Sequence, residues 1–148
     1  MKISIVMPLY NAETYLADYM DSILKQTFAE FELLCVNDGS RDATAEILQL
    51  YAARDSRISV FDNGERRGAA YSRNRGLAEA TGEYLFFLDG DDVFDEEMLQ
   101  SAYRKAVENR ADIVAYQSVK TKTEQMRLKR TNKLGTSFVR IFCQHPFE

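Results

Sequence analysis

At 148 residues the chain is long enough for one domain with a real core, and its 45% hydrophobic and 28% charged content is ordinary for a soluble globular protein. Two cysteines, Cys35 and Cys143, exclude a disulfide framework or a zinc cluster. The net charge of −4 hides an asymmetry: residues 1–117 carry 12 Lys and Arg against 21 Asp and Glu, whereas residues 118–148 carry seven against two. This suggests an acidic body and a basic C-terminal segment with different partners; a solvated, partly disordered basic tail is the plainer alternative.

The elements follow in order. The first apolar run reaches only Tyr10 and contains Pro8, too short for a membrane span and poor as a signal peptide. Ile3–Met7 reads as a buried strand that Pro8 ends. From Ala12 to Gln26, apolar residues at Tyr15, Leu16, Tyr19, Met20, Ile23 and Leu24 recur with helical spacing. Phe31–Asn37 is a second strand, with Cys35 as a core thiol that fits a reducing, cytoplasmic setting. Asp38-Gly39-Ser40 is a turn, and Ser40 or Asp42 caps a helix running to about Arg54. Ile58–Phe61 is a third strand, and a polar loop leads to a small-residue helix over Ala69–Ala80, with Gly82 expected as its C-terminal cap. Glu83–Leu88, nearly all apolar, is a fourth strand buried on both faces. After the acidic turn Asp89–Asp92 come a helix from about Asp95 to Asn109 and a strand at Asp112–Tyr116. Beyond Gln117 the pattern weakens; a strand at Val119–Thr123 and a short helix at Thr136–Phe142 are expected, and His145 reads as a solvent-exposed residue near the chain end.

Alternating strands and helices imply a parallel sheet with helices on both sides. Ligands of such sheets bind beyond the carboxyl ends of the strands. Polar residues gather at those ends: Tyr10 and Asn11 after strand 1, Asn37 and Asp38 after strand 2, Asp62 after strand 3, and Asp89, Asp91 and Asp92 after strand 4. Three carboxylates within four residues repel one another unless a cation lies between them. Hard Mg²⁺ or Mn²⁺, sharing its shell with substrate phosphates, suits them; an acidic approach to the following helix is the plainer alternative. Asp38 can accept hydrogen bonds from a nucleobase or ribose, or simply serve an Asp-Gly turn. Tyr10 offers a flat face to a base, or is a rim tyrosine. Arg73 and Arg75, on the helix that Gly68 precedes, could approach a diphosphate at the helix N-terminus or make surface ion pairs.

Six segments in order carry a resemblance to glycosyltransferase family 2: Ser4–Asn11, Ser22–Thr27, Val36–Asp42, Gly68 with Ser72–Leu77, Ala80–Tyr84 and Phe87–Asp92. The resemblance covers Ile3 to about Tyr116. It implies a GT-A fold, a Rossmann-like, mostly parallel α/β sheet flanked by helices. It also implies a nucleotide-diphospho-sugar donor of the UDP type and inverting transfer to a glycan or lipid-linked acceptor, as in cell-surface polysaccharide synthesis. By the same resemblance, Pro8, Tyr10 and Asn11 lie beside the base, Asp38 bonds it, Arg73 lies near the nucleotide and Asp89 near the ribose. Asp91, then Asp92, holds the Mg²⁺ or Mn²⁺. A nucleic-acid partner is not expected; peripheral membrane contact at the inner face and a homo-oligomer are both compatible with this reading.

The general base of the family normally lies downstream, in an acidic motif. After Gln117 the chain holds only Glu124 and Glu148 as acids, neither in such a motif. The expectation is therefore a nucleotide-sugar-binding domain at 1–117 and, at 118–148, the start of an incomplete acceptor region in a truncated chain. The competing reading is a non-catalytic nucleotide-sugar-binding fragment. Other α/β classes lack their signatures: there is no phosphate-loop Gly-x-x-x-x-Gly-Lys, no Gly-x-Gly-x-x-Gly after strand 1, and no acid pair there to mark a receiver domain.

Overall fold

The structure, a computed structural model, describes residues 1–88, 95–118 and 138–144, with side chains described up to residue 114. The elements are β1 (Ile3–Leu9), α1 (Leu16–Leu24), β2 (Phe31–Asn37), α2 (Thr44–Ala52), β3 (Ile58–Asp62), α3 (Ala69–Glu79), β4 (Tyr84–Phe87), α4 (Met98–Asn109), β5 (Ile113–Ser118) and β6 (Phe138–Gln144). They build a six-stranded sheet ordered β3-β2-β1-β4-β6-β5. The β3-β2-β1-β4 portion is parallel throughout, and β6 runs antiparallel to both of its neighbours. The expected mostly parallel sheet is thus present.

Alternation along β1 sorts the two faces. Ile3, Ile5, Met7 and Leu9 join one apolar cluster with Leu16, Tyr19, Met20 and Ile23 of α1, Leu48 of α2, and Leu99, Ala102 and Ala106 of α4. Ser4 and Val6 point the other way, toward α3. Both faces are therefore covered, and β1 is buried along Ile3–Met7. The close fit on the α3 side depends on two glycines. A Cβ on Gly76 would collide with Cγ1 of Val6, and one on Gly82 would come within 2.6 Å of the Ser4 nitrogen. Gly82 is thus required by close approach to β1. It is not the cap of α3, which ends at Ala80 in extended conformation.

Two further expectations change. Strand 1 continues through Pro8 to Leu9. The amide of Leu88 donates to Val6 O and that of Tyr84 to Lys2 O, so even-numbered β1 residues face β4, while Leu9 O accepts from Asp38 on the β2 side. The β1–β4 pairing ends at Val6, so the missing Pro8 N–H removes no ladder bond. The short helix expected at Thr136–Phe142 is instead β6, Phe138–Gln144. Its β-branched and aromatic residues favour a strand, and seven residues are few for a helix. The strand expected at Val119–Thr123 and the surroundings of His145 lie outside the described residues.

Gln26 and Thr27 lock α1 to the start of α4. Gln26 is buried; its amide donates to Asp95 O at 2.6 Å and accepts from the Leu99 N–H at 3.0 Å. It thereby serves an N–H of α4's first turn that no local cap side chain takes. The Thr27 N–H adds a bond to Glu96 O at 2.9 Å. The expected acids of the first turn, Asp95–Glu97, precede α4, which begins at Met98.

The Gly76–Val6 contact makes a prediction. Gly76→Ala should lower stability by about 1–3 kcal/mol through overpacking. Val6→Ala in the same chain should recover part of that loss, as read from urea midpoints.

Candidate functional site

The sheet reverses direction at β1. The chain steps outward from β1 to β2 and β3, then crosses over through α3 to return at β4 on the other side of β1. At such a switch point the carboxyl ends diverge and leave a crevice. The structure gathers Tyr10, Asn11, Asn37, Asp38 and Asp62 at this edge, as their positions at the strand ends predict.

Asp38 is the anchor. It is 4% exposed, and its carboxylate accepts from the Asn63 amide and the Arg67 N–H at Oδ1 and from the Gly68 N–H at Oδ2, each at 2.8 Å. Burial alone would push this carboxyl up. The hydrogen bonds from Arg67, Asn63, Gly68 and the Ser72 hydroxyl outweigh it and hold the group below the usual carboxylate range. The loop from Asn63 to Gly68 is thus folded onto a single ionised side chain. Gly39, at φ +70, lets that loop lie close, since a Cβ there would stand 2.5 Å from the Glu65 carbonyl carbon.

Asn63 is the second hub. Its Nδ2 donates to Asp38 and to Ser72 Oγ at 2.9 Å, and its Oδ1 accepts from Arg75 NH1 at 2.8 Å. The partners settle the amide's orientation, because a guanidinium can only donate and a carboxylate can only accept. Asn37 and Asp62 are similarly paired, Nδ2 to Oδ2, at 2.7 Å.

Between these groups lies an open pocket of about 160 Å³ lined by Pro8, Leu9, Tyr10, Asp38, Arg66, Gly68 and Ala69. Cavities of about 150 Å³ hold one aromatic ring. The Arg66 guanidinium stacks 4.1 Å from the Tyr10 ring centroid. The N-terminus of α3 opens on the same space, placing first-turn N–H groups beside it.

Of the expected residues, Pro8, Tyr10 and Asp38 meet in this pocket. Asn11 lies at the same edge but in the neighbouring loop junction. Its N–H donates to Ser40 Oγ at 3.0 Å and its Oδ1 accepts from the Arg41 N–H at 2.9 Å, with the residue at φ 48. Asp42 contributes to that junction, taking the Glu13 and Thr44 N–H groups. Arg73 lies on α3 outside the pocket lining. Asp89, Asp91 and Asp92 lie outside the described residues. Among the described residues no group of three metal-ligating side chains occurs, and no described helix is long and apolar enough to cross a membrane. Asn63, Arg66 and Arg67 were not singled out from sequence. The signal for them was the Asp62–Gly68 loop itself, whose Gly64 and Gly68 both take positive φ.

The mostly parallel α/β sheet with helices on both faces matches solved glycosyltransferases of the GT-A fold. The family model for glycosyl transferase family 2 matches residues 4–145, and the chain belongs to that family. It is 38% identical over 112 residues to glycosyltransferase GlyG of Streptococcus pneumoniae, covering 76% of this chain and 37% of that protein. It is 36% identical over 116 residues to the poly(ribitol-phosphate) beta-glucosyltransferase of Bacillus spizizenii, covering 76% and 18%. The crystal structure of S. aureus TarS 1–349 superposes with a TM-score of 0.72 at 34% identity, over 76% of this chain and 34% of that one. TarS 1–349 has been solved in complex with UDP and with UDP-GlcNAc. The chain therefore spans about a third or less of the length of these relatives.

The Asp38 clamp predicts an acid limb. A carboxylate depressed in the folded state contributes stability that is complete above its unfolded value of about 3.9 and is lost as pH falls through the lower folded value. Urea denaturation of the parent should show this loss below about pH 4. Asp38→Asn, which keeps one acceptor oxygen, should be less stable by about 1–3 kcal/mol at pH 7 and should lack that part of the acid limb.

Proposed function

We propose that this chain forms the nucleotide-sugar-binding part of an inverting glycosyltransferase. The enzyme moves a hexose from a UDP-sugar to a hydroxyl acceptor in cell-surface polysaccharide synthesis. The observation that carries the reading is the pocket at the switch point, where Pro8, Tyr10 and Asp38 converge in a chain of this family. The base lies against Tyr10 and donates an N–H to Asp38, with Asn11 bracing the loop behind it. Support for UDP comes from TarS, a 34% identical relative solved with UDP and UDP-GlcNAc. Support for a polymer acceptor comes from the relative named for poly(ribitol phosphate).

The diphosphate is assigned to the space between the α3 N-terminus and the acidic turn. The Leu88 N–H is bonded to Val6 O at 3.0 Å, so the chain leaves β4 beside the pocket end of β1 just before Asp89. Aspartate oxygens are hard donors suited to Mg²⁺ or Mn²⁺. Asp91 is assigned as the metal ligand with Asp92 second, Asp89 to the ribose, and Arg73 to the nucleotide's neighbourhood. When bound, the cation supplies Lewis acidity that stabilises charge on the departing diphosphate. The described residues hold the base and fix the loop that borders it. A base for the acceptor hydroxyl is not assigned to this chain. The basic stretch from Lys120 to Lys133 is assigned to an anionic, lipid-linked acceptor at the cytoplasmic face of a membrane.

Calorimetric titration with UDP and UDP-sugars, with and without Mn²⁺, tests the reading. Binding should tighten with Mn²⁺, and Asp91→Ala should remove about tenfold or more of that gain, roughly 1.4 kcal/mol. Tyr10→Ala should weaken binding whether or not metal is present. Metal-independent binding would remove the metal assignment, and no binding by a folded sample would remove the donor site.

A further inference from the structure

We infer that Arg75, which does not line the pocket, is a positioning residue for it and acts through Asn63. The inference rests on the nucleotide reading of the pocket. Arg75 lies on α3, one turn beyond the residues that face the site. A surface arginine on a helix would be expected to seek a carboxylate. Here NH1 instead donates to two neutral carbonyl oxygens of consecutive residues, Asp62 O at 2.6 Å and Asn63 Oδ1 at 2.8 Å. It therefore pins the point where β3 turns into the pocket loop. Its guanidinium carbon lies 5.8 Å from the Phe61 ring centroid.

The relay onward is continuous. Arg75 holds Asn63 Oδ1, which leaves Nδ2 directed at Asp38 Oδ1 (2.8 Å) and Ser72 Oγ (2.9 Å). Asp38 then holds the N–H groups of Arg67 and Gly68, and Gly68 and Arg66 line the pocket, with Arg66 lying on the Tyr10 ring. A positive charge on the carbonyl end of an amide strengthens donation from its other end. Without the guanidinium, the Asn63 side chain is released to other rotamers, Asp38 loses a fixed donor, and the wall carrying Arg66 loosens. The effect should therefore appear as weaker nucleotide binding although Arg75 touches no nucleotide.

The test uses the 148-residue chain in EDTA, with UDP as the probe. Arg75→Met keeps an unbranched side chain and removes the donor. It should weaken UDP binding about tenfold and speed amide exchange at Arg67 and Gly68, the size expected for a lost charge-assisted hydrogen bond. Arg75→Lys should retain binding within about threefold, because one nitrogen already serves both acceptors. A double-mutant cycle decides the route. In an Asn63→Ala background, Arg75→Met should cost less than about twofold more. A full, additive loss in that background, or unchanged UDP binding in Arg75→Met, would overturn the inference while leaving the nucleotide site intact. Failure of the parent chain to bind UDP both in EDTA and with Mn²⁺ would overturn the nucleotide reading and the inference with it.

Discussion

The carboxylate of Asp38 is the constraint on which the site depends. Burying an anion is costly unless it is fully hydrogen-bonded. Here the compensating donors come almost entirely from one loop, Asn63 to Gly68, so the charge cannot be buried without that loop being in place. The dependence runs both ways, because the Arg67 and Gly68 amides would be left without this acceptor if the carboxylate moved. A single residue at the tip of β2 thereby dictates the shape of a connection that begins some 25 residues later in the chain.

The rest of the scaffold makes that arrangement rigid. Gly76 and Gly82 let α3 and its following turn press against β1, and Gly39 lets the loop press against β2. Because β1 is covered on both faces, Pro8 and Leu9 end the strand, and Tyr10 leaves the sheet, from a fixed base. On the far side of β1, Gln26 ties α1 to the segment that opens α4, so Leu88 and Asp95 are both anchored to the same core. A pocket whose walls descend from the sheet in this way needs little reorganisation to receive a flat ring.

Much of this was legible in the residues. Strand and helix order through Tyr116 followed from hydrophobic periodicity, because the buried parallel strands and amphipathic helices carry strong, distinct periods. Tyr10 and Asp38 fall at one edge of the sheet because topology alone sends strand ends there. What escaped detection was side-chain partnership. The composition of Glu65-Arg66-Arg67 marks a polar loop, but nothing in its spacing shows that Arg66 lies on Tyr10 or that Asn63 serves Asp38 and Arg75 together. Gly82 looked like a helix cap because glycine commonly ends helices; only the packed structure shows that Ser4 is what forbids a side chain there. β6 was missed because a seven-residue apolar run carries no decisive period, and its place in the sheet is set by partners far away in sequence.

That last strand has a consequence for how the molecule assembles. β6 is the final element described in the chain, yet it occupies an interior slot, with Tyr84 opposite Gln144 on one side and Ile113 opposite Cys143 on the other. During synthesis β4 and β5 are made well before the segment that must lie between them. Until it arrives, each offers an open row of backbone donors and acceptors. The seam between β4 and β5 is therefore closed by a long-range step late in folding, and it is the interval in which a nascent chain is most exposed to pairing with the wrong neighbour.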